Sequence, residues 1–139
     1  MSGELLNILL VEDDDVDVMN VKRAFEKNHI TNPLFVAHDG VEALAQLRGG
    51  EIPKGRRIVL LDLNLPRMNG IEFLREVRND PHLRSIPVVV LTTSNDDVDK
   101  IEAYKLNAAG YLVKPVTFAN FCEAMVTLNK YWMLVELPT

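Results

Sequence analysis

The sequence predicts an α/β protein, a doubly wound sheet of five parallel strands with helices on both faces. Five short runs are almost wholly apolar and lack polar alternation: NILLV (7–11), LFVA (34–37), RIVLLDL (57–63), PVVVLT (87–92) and GYLV (110–113). Strands read this way when both of their faces are covered in a parallel sheet. The segments between them carry apolar residues at helical spacing, and the two patterns alternate along the chain.

After the first run, Val18, Val21 and Phe25 share one face of a helix from about Val16 to Asn28. Asp14, Asp15 and Asp17 stand around its first turn, where acids complement the helix dipole and Asp14 or Asp15 can cap it. Val41, Ala43, Leu44 and Leu47 suit a short second helix, ended by Gly49-Gly50. GGEIPKGRR (49–57) reads as an exposed loop. Asn69-Gly70 is a turn signal that starts a third helix. Ile71, Leu74 and Val77 form its stripe, Phe73 sits at the stripe's edge, and Pro81 lies beyond its end. Val98, Ile101 and Leu106 mark a fourth helix. Phe118, Phe121, Cys122, Met125, Leu128 and Trp132 make a wide apolar stripe on a long fifth. WMLVELPT (132–139) reads as an arm or short strand. No repeat or linker divides the chain, so 1–131 is expected to be one domain and 132–139 a C-terminal extension.

The 139 residues, 47% of them hydrophobic, suffice for one sizeable core. A net charge of −5 argues against direct nucleic-acid binding. Cys122 is the only cysteine, which excludes an internal disulfide and fits a reducing compartment. The N-terminus lacks the pattern of a secretory signal, and no apolar run is long enough to span a bilayer. The expectation is a cytoplasmic protein with no membrane partner.

In such a sheet, ligands bind where the carboxyl ends of strands meet the following loops. The first strand delivers Glu12 and Asp13 there, the third Asp62, the fourth Thr92 and Thr93, and the fifth Lys114. Clustered carboxylates suit a hard divalent cation, which also offsets their mutual repulsion. Asp62 could then act as a carboxylate nucleophile towards phosphorus. Phosphoryl transfer needs mainly positioning and charge neutralisation; Mg2+ and Lys114 could supply the charge, and the Thr92 hydroxyl a hydrogen bond.

ILLVEDDD, VLLDLNLPRMNG, VVVLTTS and YLVKP, in this order, resemble the motifs of bacterial response-regulator receiver domains over about residues 6 to 130. The resemblance implies the flavodoxin-like, CheY-like (βα)5 fold with strand order 2-1-3-4-5. It implies Asp62 as the phospho-acceptor, with Glu12, Asp13, Asp62 and the backbone carbonyl of Asn64 holding Mg2+ or Mn2+. It makes Thr92 the switch hydroxyl, Lys114 the phosphate-pairing lysine and Tyr111 the aromatic switch, with Thr93 and Ser94 flanking the phosphate. It also implies a cis peptide before Pro115, an X-Pro bond being where cis costs least. The chain departs from the commonest pattern in Glu12, a familiar variant where that pattern has Asp, and in Thr93, where many relatives carry Ala or Gly.

HITNPLFVAHDG, the loop before RIVLLDLNLPRMNG, and KYWMLVELP further resemble the small regulators that partner phytochrome-type histidine kinases. That resemblance implies a sensor histidine kinase, of the bacteriophytochrome type, as partner. It also implies a homodimer through the fourth helix, fifth strand, fifth helix and C-terminal extension. The function expected is a stand-alone response regulator, not an enzyme acting on a free substrate. Phosphorylation would switch a protein-interaction surface, or the phosphate would pass on in a relay. A haloacid-dehalogenase-like aspartyl-phosphate hydrolase is the competing reading. That family's motif is Asp-x-Asp, and Asn64 at the second position lacks the general acid.

Overall fold

In a computed structural model of the chain, which describes residues 6–27, 29–92 and 97–113, each apolar run becomes a strand. These are β1 (Asn7–Val11), β2 (Leu34–Ala37), β3 (Arg57–Leu61), β4 (Val88–Thr92) and β5 (Gly110–Val113). They form one parallel sheet in the order β2-β1-β3-β4-β5. Val11 pairs with Ala37 on one side and Leu61 on the other, and Leu61 pairs with Val90. The carboxyl ends of the central strands therefore finish level. β3 stops two residues before its apolar run does, which leaves Asp62 and Leu63 just beyond the strand.

The helices between strands are α1 (Asp15–Lys27), α2 (Gly40–Gly49), α3 (Gly70–Asn79) and α4 (Asp97–Lys105). The expected fifth helix and the 132–139 extension fall outside the described residues. Successive strand residues face opposite sides; both sides are buried along β1, β3 and β4, and β2 at the sheet edge is only partly covered. Leu9, Val11, Val59, Leu61 and Val90 pack with the inner faces of α2 and α3. Ile8, Leu10, Ile58, Leu60, Val89 and Leu91 pack with Val18, Val21, Ala24 and Phe25 of α1.

Three expectations are corrected. In α3, Phe73, Leu74 and Val77 are fully buried and Ile71 only partly, so the core stripe runs through Phe73. α4 presents its apolar residues outwards: Val98, Ile101 and Tyr104 are 65%, 54% and 53% exposed, and Ala103 is its buried residue. The small Ala103 side chain is what meets the core, and Leu106 lies beyond the helix end. Within 49–57, Ile52 is buried in the core, and Arg57 is buried with Nη1 donating to the Leu47 carbonyl near the end of α2 at 3.3 Å. That loop is therefore partly inside the protein.

Helix ends are well defined on the α2–α3 side. Asn69 and Glu72 form a reciprocal capping box at the start of α3, and Gly50 closes α2 in the left-handed conformation at φ 80°. At the far end of α3, the Arg78 guanidinium donates to four carbonyls: Leu106 at 2.6 Å, Ile86 at 2.8 Å, Arg84 at 2.9 Å and Asn107 at 3.1 Å. Burial lowers its pKa from the ordinary guanidinium value, and an arginine stays charged regardless. One side chain thereby joins α3 to the loops before β4 and β5.

Candidate functional site

β1 and β3 bring three carboxylates to one place. Glu12, Asp13 and Asp62 each present an oxygen, all within 4.8 Å of one another. Glu12 and Asp62 are buried, at 2% and 7% exposure, and Asp13 is open to solvent. The sheet ladder carries them there: the Glu12 amide donates to the Ala37 carbonyl at 2.9 Å and the Asp62 amide to the Val11 carbonyl at 3.0 Å. Two like unit charges about 5 Å apart repel by roughly 3 kcal/mol at an effective dielectric of about 20. Burial adds a desolvation cost. A divalent cation reverses that balance, and hard cations take oxygen donors of this kind. The donor set fits a divalent metal.

The acidic run that begins here divides at Asp14. Its carboxylate accepts from the Val16 amide at 2.8 Å and the Asp17 amide at 3.3 Å, which caps α1. Its own amide donates to Glu12 Oε2 at 3.3 Å.

The loop between β3 and α3 is held at both ends. The Asn64 amide donates to Asp62 Oδ1 at 3.1 Å, and Asn64 Nδ2 donates to Thr92 Oγ1 at 3.4 Å. Thr92 is fully buried at the end of β4. At the other end, a Cβ on Gly70 would lie 2.5 Å from the Asp62 carbonyl oxygen and 2.6 Å from Leu63 Cα. Only glycine lets α3 begin directly against the Asp62 backbone.

Glu12, Asp13, Asp62, Asn64 and Thr92 therefore come together as expected. Tyr111 lies on β5, partly buried, 6.4 Å from the Tyr104 ring and 5.9 Å from Lys100 Nζ. Thr93, Ser94, Lys114 and Pro115 fall outside the described residues. His29, His38 and His82 take no part in the acidic cluster.

The sequence reading missed what β2 contributes. Asp39, just past β2, caps α2 by accepting from the Glu42 amide at 2.8 Å. Its other oxygen accepts from Arg67 Nε at 2.8 Å and Nη2 at 2.5 Å. The Glu42 amide first, and then Arg67, hold this carboxyl below its ordinary value against the opposing effect of burial. An acid three residues before Glu42 at the end of an apolar run was a legible cap signal; the contact with Arg67 left no trace in periodicity.

Comparison with known proteins decides the family. The model of the response regulator receiver domain matches residues 8–126. The chain belongs to the response-regulator receiver family. Among receiver relatives, the probable methanogenesis regulatory protein FilR2 of Methanothrix harundinacea is 40% identical over 95% of this chain and 90% of its own. The response regulator Rcp1 of Synechocystis is 38% identical over 94% and 92%. Its Mn2+-bound crystal structure superposes with a TM-score of 0.81 over 96% of this chain and 99% of that one, at 37% identity. The phosphorylated cyanobacterial phytochrome response regulator RcpA gives 0.84 over 98% and 100%, at 34% identity. This receiver is thus homologous to phytochrome response regulators, and it belongs to two-component signalling, where a kinase is the partner. Among its described residues, no helix is long and apolar enough to cross a membrane.

Proposed function

We propose that this receiver accepts a phosphoryl group on Asp62 from a sensor histidine kinase and thereby changes a protein-binding surface. One observation carries the reading: Asp62 shares a 4.8 Å cluster with Glu12 and Asp13 and is tied through Asn64 to the Thr92 hydroxyl. A carboxylate oxygen of Asp62 would attack phosphorus; the new O–P bond forms as the donor's N–P bond breaks, and the leaving imidazole takes up a proton. Glu12, Asp13, Asp62 and the Asn64 carbonyl would hold Mg2+ or Mn2+, which when bound neutralises charge on the phosphoryl oxygens. The Thr92 hydroxyl would donate to one of those oxygens, and Lys114 would pair with another. Tyr111 would follow Thr92 as the switch moves, and Thr93 and Ser94 would border the phosphate. A carboxyl–phosphate anhydride formed this way stores a signal and turns over no free substrate, so the chain acts as a signalling acceptor in the cytoplasm.

The reading is tested by labelling with acetyl phosphate and Mg2+, followed by mass spectrometry. Wild type should gain one phosphoryl group and Asp62→Asn none; full labelling of the variant refutes the assignment.

The likeness to Rcp1 and RcpA supports a phytochrome-type kinase as the donor. The exposed Val98, Ile101 and Tyr104 on α4 support a homodimer through α4, β5, the fifth helix and the extension, since such side chains suit a partner surface. In sedimentation velocity, Ile101→Arg should shift the chain towards monomer; an unchanged dimer argues against this face.

A further inference from the structure

The loop from Asp62 to Asn69 carries the proposed acceptor and the proposed carbonyl ligand, and it is gripped at Arg67 by the residue just past β2, across the end of β1. Asp39 is 6% exposed, and Arg67 reaches it with two nitrogens. Arg67 itself has φ 61°, a left-handed backbone that a side-chain-bearing residue adopts only at a cost. Such a conformation persists when its surroundings over-determine it. Here the next residues help: the Gly40 amide donates to the Met68 carbonyl at 3.3 Å. A Cβ on Gly40 would lie 2.8 Å from that same oxygen. The start of α2 is thus seated on the loop beside the ion pair.

We propose that Asp39 and Arg67 are positioning residues for the acceptor site, a clamp that holds the β3–α3 loop so that Asn64 stays hydrogen-bonded to the Asp62 carboxylate and to Thr92 and its carbonyl is kept beside the acidic cluster. The clamp rests on the reading of Asp62 and Asn64 given above. Neither residue touches the acidic cluster, so both act through the loop. Arg67 Nε and Nη2 both bond one Asp39 oxygen, a charge-assisted contact that ties the loop to the residue just past β2. Partners bonded directly to metal ligands change affinity by about 10–100-fold when lost; a clamp acting one step further out is placed at the lower end of that range.

The test is calorimetric titration of the full chain with Mg2+, paired with acetyl phosphate labelling rates across Mg2+ concentrations. Asp39→Asn is informative because asparagine still caps a helix while the charge pair is lost. Arg67→Ala and Asp39→Asn should each weaken Mg2+ binding about tenfold. Their labelling rate should return to the wild-type value at saturating Mg2+, and Arg67→Lys should recover most of the affinity. Arg67→Gly separates the clamp from backbone strain, because it removes the ion pair and the cost of φ 61° together. It should bind Mg2+ as weakly as Arg67→Ala. Wild-type affinity in Arg67→Gly, or in Arg67→Ala with its fold checked by circular dichroism, overturns the clamp. A wild-type chain that neither binds Mg2+ nor labels at Asp62 overturns the acceptor reading first. Normal wild-type behaviour beside indifferent variants overturns the clamp alone.

Discussion

α3 and α4 flank the same loop, and the protein holds them very differently. α3 buries Phe73, Leu74 and Val77 completely, begins with a capping box and ends at the four carbonyl bonds of Arg78. α4 buries only Ala103 and leaves Val98, Ile101 and Tyr104 more than half exposed. Between them lies a cleft of about 570 Å3 that Leu63, Asn64 and Leu65 help to line. The Arg75–Glu102 ion pair, at 3.7 Å, joins the two helices. Its partners are 51% and 37% exposed, so its contribution is small. Local stability follows buried apolar contact. The contrast teaches that this receiver anchors one wall of the cleft with several buried side chains and the other with a single small one.

The sharpest way to break that contrast is to truncate one side chain in each helix. Phe73→Ala should cost about 3–5 kcal/mol, and Ile101→Ala less than about 0.5 kcal/mol, both read by urea denaturation at a concentration where the chain is monomeric. Equal losses would mean that α4 is as firmly anchored as α3. Next, Arg78→Met should cost about 2–3 kcal/mol, since it strips a charged donor from several carbonyls at once. Amide exchange in 104–108 should accelerate in that variant; unchanged exchange would remove Arg78 from the anchor.

The smallest effect is in pH. Asp39 is held below its ordinary value by the Glu42 amide and then Arg67, and Asp80 by the His82 amide and then Arg48. A carboxyl whose folded pKa is depressed stabilises the fold fully above the ordinary value of 3.8, and loses that contribution as pH falls through the folded one. The Tm advantage of wild type over Asp39→Asn should therefore be largest near neutrality and shrink below about pH 4. An advantage that persists into strong acid would show that Asp39 acts through something other than its charge.

Much of this was legible in the residues. The central strands announced themselves because burial on both faces leaves few polar interruptions; β2 at the sheet edge is only partly buried, yet NILLV, LFVA and GYLV match β1, β2 and β5 residue for residue. The meeting of Glu12, Asp13 and Asp62 followed from topology, since strands that finish level place their next residues together. Other features were hidden. The rotation of α4 could not be read from Val98 and Ile101, because their spacing fits an inward stripe as well as an outward one. Ala103, too small to mark a stripe, is the residue that faces inward. Asp39 with Arg67, and Arg78 with its four carbonyls, are polar contacts between segments remote in sequence. Such contacts depend on loop shape and leave no period to read.

Arg78 has one more consequence. Two of its four bonds end on Leu106 and Asn107, directly after the last turn of α4. That end of the helix is therefore tethered. A movement of α4 that kept both bonds would be a swing about Leu106 and Asn107, small there and greatest at Asp97, the end nearest in sequence to Thr92. If Thr92 acts as the proposed switch, a shift of its hydroxyl would enter at the long arm of a lever. The outer surface of that arm carries Val98 and Ile101, the side chains that the core left outside.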